Sequence, residues 1–452
     1  MERLDQYTTA FSDFVWGMPL LFLLIGGGLF FLVYSGFVPF LHLGHAIAIL
    51  RGKYDDPNSP GDINHFQALS TAIAATVGMG NIAGVAVAIT TGGPGAVFWM
   101  WVSALVGMAT KYFTCTLSIM YRGKDSLGNV QGGPMYVIRE GLGEKWKPLA
   151  VFFSLAGLIG CLPMFQANQL RESVYQVFLE PAGVADDTTM RTIIGIAMAV
   201  IVAMVIFGGI KRIGSVASKM VPAMVILYVG AVLTIIFINM DRIGETFGLI
   251  FNDAFTGNAV LGGVLGELIR TGVKRAAFSN EAGIGTAPMA HGAAKTDMPV
   301  REGLIAMLGP FIDTIIICTM TALAIIVTGA WESGSDQGIA VTIQAFESAL
   351  PGVGGYLLMV CGAIFALTTL FSYSYYGGKC MGYLFGAENQ HWYNYFYIAS
   401  IIFGSVVSIT SVINIIDGMF ALMAIPTILS AILLSPKVIA ATKAYFAEMR
   451  EG

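Results

Sequence analysis

Two glycine-interrupted segments carry the backbone groups best placed to do chemistry. Gly78-Met79-Gly80-Asn81 lies inside an apolar run, and Gly272, Gly283, Gly285 and Pro288 lie in a run that also holds Lys274, Arg275 and Glu281. Glycine weakens a helix by about 1 kcal/mol relative to alanine and proline by about 3 kcal/mol, so both segments are marked to break. A break in an apolar medium frees amides and carbonyls that must find partners, and where it lines a cavity those partners are ions or polar ligands. The competing use of such glycines is close helix packing. Three side-chain sets accompany the breaks. Thr368 and Thr369 are adjacent hydroxyls, and on residue type alone each back-bonds to its own helix. Gln166 and Gln169, three apart, share one helix face beside Asn168, Arg171 and Glu172. That face looks into a cavity or binds a neighbouring helix. Glu281 with Lys274 or Arg275 is expected to form an internal ion pair. Enzyme chemistry finds no support: there is no H-E-x-x-H and no Walker lysine motif, and the five histidines are scattered.

The elements holding these residues must be membrane helices. The chain has 452 residues, 56% hydrophobic and 12% charged, against about 25% charged in a soluble domain. Apolar runs long enough to span a bilayer recur from end to end. Eleven helices are expected at 14–40, 66–91, 94–121, 148–178, 190–208, 216–239, 259–293, 302–329, 353–385, 393–412 and 416–440, all in a single transmembrane domain. The first run follows acidic rather than basic residues and is too long for a signal peptide, so it is expected to be retained. All five cysteines fall inside expected spans and are read as packing residues rather than a disulfide framework. A net charge of −4 without a basic run excludes nucleic acid as a partner. The lipid bilayer is the partner that composition requires.

With the N-terminus outside, sixteen cations fall on the cytoplasmic side, among them Arg51, Arg122, Lys211, Arg212, Lys379 and Lys437, against three (Arg3, Arg191, Arg242) on the other. That asymmetry predicts a plasma-membrane protein with an external N-terminus and a cytoplasmic C-terminus. After the extra helix 14–40, ten helices divide into 66–239 and 259–440. Five is odd, so the second set enters the membrane from the opposite side, as an inverted repeat requires. The first helix of each set is the one marked to break.

The run from Gly92-Gly93-Pro94-Gly95 through Phe98-Trp99-Met100-Trp101 to Gly107 resembles the signature of the alanine or glycine:cation symporter family. Gly272-Val273-Lys274-Arg275-Ala276-Ala277-Phe278-Ser279-Asn280-Glu281-Ala282-Gly283 is similar to that family's other distinctive stretch. The resemblance implies an all-α, leucine-transporter-type fold of five plus five inverted helices with one extra N-terminal helix. It also implies sodium-driven uptake of alanine, glycine or a similarly small amino acid. A zwitterion at the bilayer midplane needs both its charges paired. On that reading Thr76, Gly78, Met79 and Gly80 meet the carboxylate at the N-terminal end of a half-helix. A break near Phe278, Ser279 and Asn280 offers carbonyls to the ammonium group, and the Phe278 ring limits side-chain size unless it is only packing. Gln166, Gln169 and Thr369 complete the substrate set. Carried over from the leucine-transporter fold, the sodium site takes the carbonyls of Ala74, Val77 and Phe365 and the hydroxyls of Thr368 and Thr369. Asn81 serves a second sodium in some relatives, but Ala75 stands where an amide is expected, which leaves that site open.

Three other classes compete with transport driven by sodium. Proton coupling would use the ionisable residues of 259–293. A channel would need a filter loop or charge rings, and none is visible. A non-transporting receptor would usually add a soluble signalling domain, whereas the connecting loops here are short.

Overall fold

A computed structural model describes residues 2–54, 59–255, 264–333 and 338–451. They are helical apart from short connections and one two-residue ladder that pairs Gly123–Lys124 with Val130–Gln131. Among the described residues seven helices are long and apolar enough to cross a membrane, and nine if each of two bent pairs counts as one span. Burial separates them into layers. Ala96–Met120 is 72% buried, whereas Thr188–Ile206 and Gly209–Ile238 are each only 33% buried. Their outward faces carry exposed Ile193, Val200, Ile226, Leu233 and Phe237, the composition of a lipid-facing surface.

The first bent pair corrects the expected helix 14–40. The chain turns by 51° at Trp16 and Gly17, between an amphipathic helix Glu2–Val15 and the apolar Met18–Tyr34. The indole of Trp16 is buried and donates to the carbonyl of Asp417 at 2.9 Å, which ties the bend to the last helix, Ile409–Glu451. The second bent pair is the expected break. His65–Thr76 and Gly80–Gly92 meet at 52° across Val77, Gly78 and Met79. Its start is fixed by a reciprocal cap in which Asn64 accepts from the Gln67 amide and Gln67 accepts from the Asn64 amide.

The segment expected to break at Phe278-Ser279-Asn280 breaks one step later. Val264–Asn280 is continuous helix, residues 281–285 are non-helical, and Thr286–His291 resumes. The reason lies in the backbone: Glu281, Gly283 and Gly285 have φ of 55°, 88° and 106°, and two of these three left-handed positions are filled by the residue that takes them without strain. The expected start of this helix, 259–263, lies outside the described residues.

The expected helix 148–178 is interrupted at Cys161-Leu162-Pro163, where proline removes a ladder donor, giving Lys147–Gly160 and Met164–Val174. Gly354–Phe385 and Pro299–Thr328 follow the expected limits closely, the latter with a wide π-type stretch at Phe311–Cys318. Shorter helices outside the expected spans include Leu43–Leu50, Ile243–Phe255 and Ile339–Ala349. All five cysteines are free and buried.

Candidate functional site

The first break lies against the middle of helix Gly354–Phe385. Val77 leaves the helix with ψ of 91°, so its carbonyl is out of the ladder. The Thr369 hydroxyl crosses to the carbonyl of Ala74 at 3.0 Å and also reaches Phe365 O at 3.1 Å. Thr368 shares that Phe365 carbonyl at 2.9 Å and bonds Ile364 O at 3.0 Å. Two hydroxyls and two carbonyls from two helices thus converge, all buried. Gly78 closes the cluster, since a Cβ there would lie 2.3 Å from Thr369 Oγ1. Only glycine allows the approach. The set is all oxygen and uncharged, a donor chemistry suited to a hard monovalent cation. Among the described residues no group of three or more His, Cys, Asp or Glu side chains could hold a metal ion.

Two residues further along, Gly80 faces the Phe278 ring, whose edge would lie 3.3 Å from an added Cβ. Phe278 is buried, meets Phe165 edge-on at 4.9 Å between centroids, and lies 5.9 Å from Phe420. It is therefore both a packing residue and a wall beside the first break. Met79 is buried near Gly362, with its sulfur 3.7 Å from a Cβ built there. The Thr76 hydroxyl is spent on its own helix, donating to Ala72 O and Ile73 O.

The polar centre that joins the two broken helices was not among the expected residues. Asp313, fully buried in the π-type stretch, accepts from Asn81 Nδ2 at 2.7 Å, from Ser279 Oγ at 2.8 Å and from Thr314 Oγ1 at 2.8 Å. Asn81 also caps the break by accepting the Gly78 amide at 2.9 Å. Asn280 bonds Thr314 Oγ1 at 3.0 Å and accepts the Ala282 amide at 2.9 Å. Ser279 and Asn280 thus act on the neighbouring helix through Asp313 and Thr314. An acid deep in the apolar part of a span was the available signal.

The expected pairing of Glu281 with Lys274 or Arg275 does not occur. Both cations go to Asp417 on the last helix, Lys274 at 3.1 Å and Arg275 in closer contact. Glu281 instead accepts from the hydroxyls of Thr286 and Tyr373. On one end of the molecule the two broken helices are tied again. Glu302 receives His65 Nδ1 and His291 Nδ1, each at 2.5 Å, with all three side chains buried. Beside it Ile63 and Ala294 form a parallel bridge, and Arg122 donates to the carbonyls of Pro60, Gly292, Ala294 and Thr296. Burial lowers the proton affinity of the Arg122 guanidinium. At the other end Gln169 accepts the Ile339 amide at 3.0 Å and borders a cavity of about 390 Å³ with Asn168 and Arg171. Gln169 thus binds a neighbouring helix, as one reading of the glutamine face expects, and the cavity it borders lies at this end of the molecule. Gln166 is buried.

A model of the Sodium:alanine symporter family matches residues 1–452. The Sodium/alanine symporter AgcS of Methanococcus maripaludis is 41% identical over 98% of this chain and 97% of its own length. An uncharacterized transporter of Haemophilus influenzae is 40% identical over 99% and 97% respectively. Among solved structures, the crystal structure of MhsT in complex with L-phenylalanine matches with a TM-score of 0.60 and 12% identity, covering 84% of this chain and 98% of that one. That last likeness is one of fold.

Proposed function

The chain belongs to the sodium:alanine symporter family, and we propose that it carries a small amino acid, alanine or glycine, into the cell with sodium by alternating access. It is a multi-pass membrane transporter and not an enzyme. The observation that carries the reading is the convergence of Ala74 O, Phe365 O and the hydroxyls of Thr368 and Thr369 beside the break at Gly78. Sodium takes these oxygens with the freed Val77 carbonyl, and a hydroxyl that now donates to a carbonyl turns its lone pair to the ion. The substrate carboxylate lies at Gly78, Met79 and Gly80, on the N-terminal end of the half-helix Gly80–Gly92. Phe278 bounds the side chain.

The same reading extends to architecture. Eleven spans result when Val264–His291, too charged, and Trp392–Val406, only 15 residues long, join the nine that pass on length and composition. The ten after Met18–Tyr34 form two inverted sets of five, whose first members are the two broken helices. The end tied by Glu302 and Arg122 faces the cytoplasm, in keeping with the cation asymmetry.

Uptake of radiolabelled alanine into proteoliposomes, with sodium, potassium or proton gradients imposed separately, tests the proposal. Accumulation is expected with a sodium gradient alone. Equal accumulation driven by protons in sodium-free buffer would replace it with proton symport.

A further inference from the structure

The end of the molecule tied by Glu302 and Arg122 also holds a recess that the central site does not use. Two adjoining cavities of about 540 and 270 Å³ share Asp62, Gln131, Gln390 and Asn394 in their walls. The smaller is bordered by Lys379, which is only 5% exposed. Its ammonium donates to the carbonyls of Gly132 at 3.0 Å and Met289 at 3.1 Å and lies 5.0 Å from the Tyr375 ring. An ammonium has three donors, so one remains for the recess. Among the described residues no carboxylate lies within ion-pair distance of it. A buried cation held only by neutral carbonyls is incompletely compensated, and an anionic group reaching it would gain a charge-assisted bond in a weakly screened place.

The opposite charge lines the same recess. Asp62 borders both cavities, and its backbone is fixed by donation to Ala293 O at 2.8 Å. Amide side chains of Gln131, Gln390 and Asn394 line both cavities, Gln131 donating to Asp125 of the larger one at 3.0 Å. In the smaller cavity a buried cation, an exposed carboxylate and neutral amides complement a zwitterion rather than a simple anion. Lys379 is ten residues beyond Thr369 on one helix, which places the recess about 15 Å along that helix from the oxygen cluster. The recess is therefore separate from the ion cluster yet walled by the same helix and by Asp62, just before the first broken helix.

We propose that this recess is a second, release-side station for the transported amino acid, with Lys379 receiving its carboxylate and Asp62 its ammonium group. The assignment of substrate and side rests on the symport reading above. The station needs no sodium, because none of its groups belongs to the oxygen cluster.

Equilibrium dialysis of labelled alanine against the purified full chain in detergent, with and without sodium, tests this. Two alanines per chain are expected in sodium, and one weaker, sodium-independent alanine without it. Asp62→Asn and Lys379→Gln should each weaken the sodium-independent class at least tenfold and spare the other. Lys379→Gln removes a tie to Gly132 and Met289, so Asp62→Asn, whose side chain is exposed, tests the station if the first variant fails to fold. A single alanine per chain at saturation in sodium, or an unchanged weak class in Asp62→Asn, overturns the proposal. So does competition by acetate as effective as that by alanine, which would make the recess a plain anion site. Loss of the sodium-dependent class alone counts against the symport reading and leaves the station standing.

Discussion

The two broken helices interrupt their ladders in opposite ways. At the first, Val77, Gly78 and Met79 carry no charge, and the freed groups are met by neutral side chains: the Asn81 amide on Gly78 N–H, itself held by Asp313, and the Thr369 hydroxyl, which can turn, on Ala74 O. At the second, Glu281 sits at φ of 55° and its carboxylate is held by Thr286 and Tyr373. The Ala282 amide is capped by Asn280, and Thr427 from the last helix bonds Ile284 O at 3.1 Å. Gly285 leaves no room either, since a Cβ there would lie 2.5 Å from Thr427 Oγ1 and 2.6 Å from the Phe153 ring. The second break is thus sealed by fixed partners from several helices, while the first is closed by groups a ligand can replace. A break becomes a binding element when its temporary partners are neutral and rotatable. It becomes a scaffold when they are buried, ionic and over-determined.

The largest effect should come from filling the first break. Gly78→Val puts branched carbon where Thr369 Oγ1 already stands, and we expect sodium-driven alanine uptake to fall more than a hundredfold with insertion and folded yield retained. Uptake within a few fold of wild type would show that the break moves freely and that the cluster is not a fixed site. Next in size is Glu281→Ala at the second break, which leaves the buried hydroxyls of Thr286 and Tyr373 without their acceptor. Each such loss costs about 1 to 3 kcal/mol, so the monodisperse fraction on size exclusion and the thermal midpoint should both drop. Uptake kinetics per folded molecule should change less. A variant that folds normally yet transports nothing would make the second break a working site and erase the distinction.

Much of this contrast was legible in the sequence, because glycines and hydropathy report directly on backbone strain and on lipid. The break at Gly78-Met79-Gly80 and most span limits are of that kind. Partners across the fold were not legible. Asp417 lies 142 residues from Arg275, and Glu302 lies 237 from His65, so no local pattern announces either contact. Helices Ile243–Phe255 and Ile339–Ala349 escaped for another reason: they are short and mix polar with apolar residues, so a search for long apolar runs passes over them.

A smaller effect is expected where the two broken helices touch, at Gly80 and Phe278. Phe278→Ala removes the ring that faces Gly80 and meets Phe165 edge-on. A hydrophobic pocket discriminates by about 1 to 3 kcal/mol per methylene, so preference should relax by tens of fold rather than vanish. Competition of labelled alanine by glycine, valine and leucine reads this. An unchanged ranking would leave Phe278 as packing alone and move the size filter elsewhere.

The finest test separates the two threonines of the oxygen cluster. Both share the Phe365 carbonyl, but only Thr369 crosses to the first broken helix, at Ala74 O, whereas Thr368 bonds Ile364 O on its own helix and Met224 Sδ at 3.7 Å. If sodium links the two helices, Thr369 supplies the oxygen that spans them and Thr368 the one that merely faces them. A bond to a charged group contributes about 1.5 to 3 kcal/mol, and 1.4 kcal/mol is about tenfold in affinity. Thr369→Ala should therefore raise the sodium concentration for half-maximal alanine uptake about tenfold. Thr368→Ala, whose hydroxyl has a ready alternative acceptor one turn back, should raise it only about twofold. Thr369→Ser keeps the oxygen and should restore near-normal activation, which separates loss of a ligand from loss of a methyl group. Equal shifts in the two alanine variants would mean that the ion sits wholly on helix Gly354–Phe385 and does not couple it to the break. No shift in either would place sodium outside this cluster altogether.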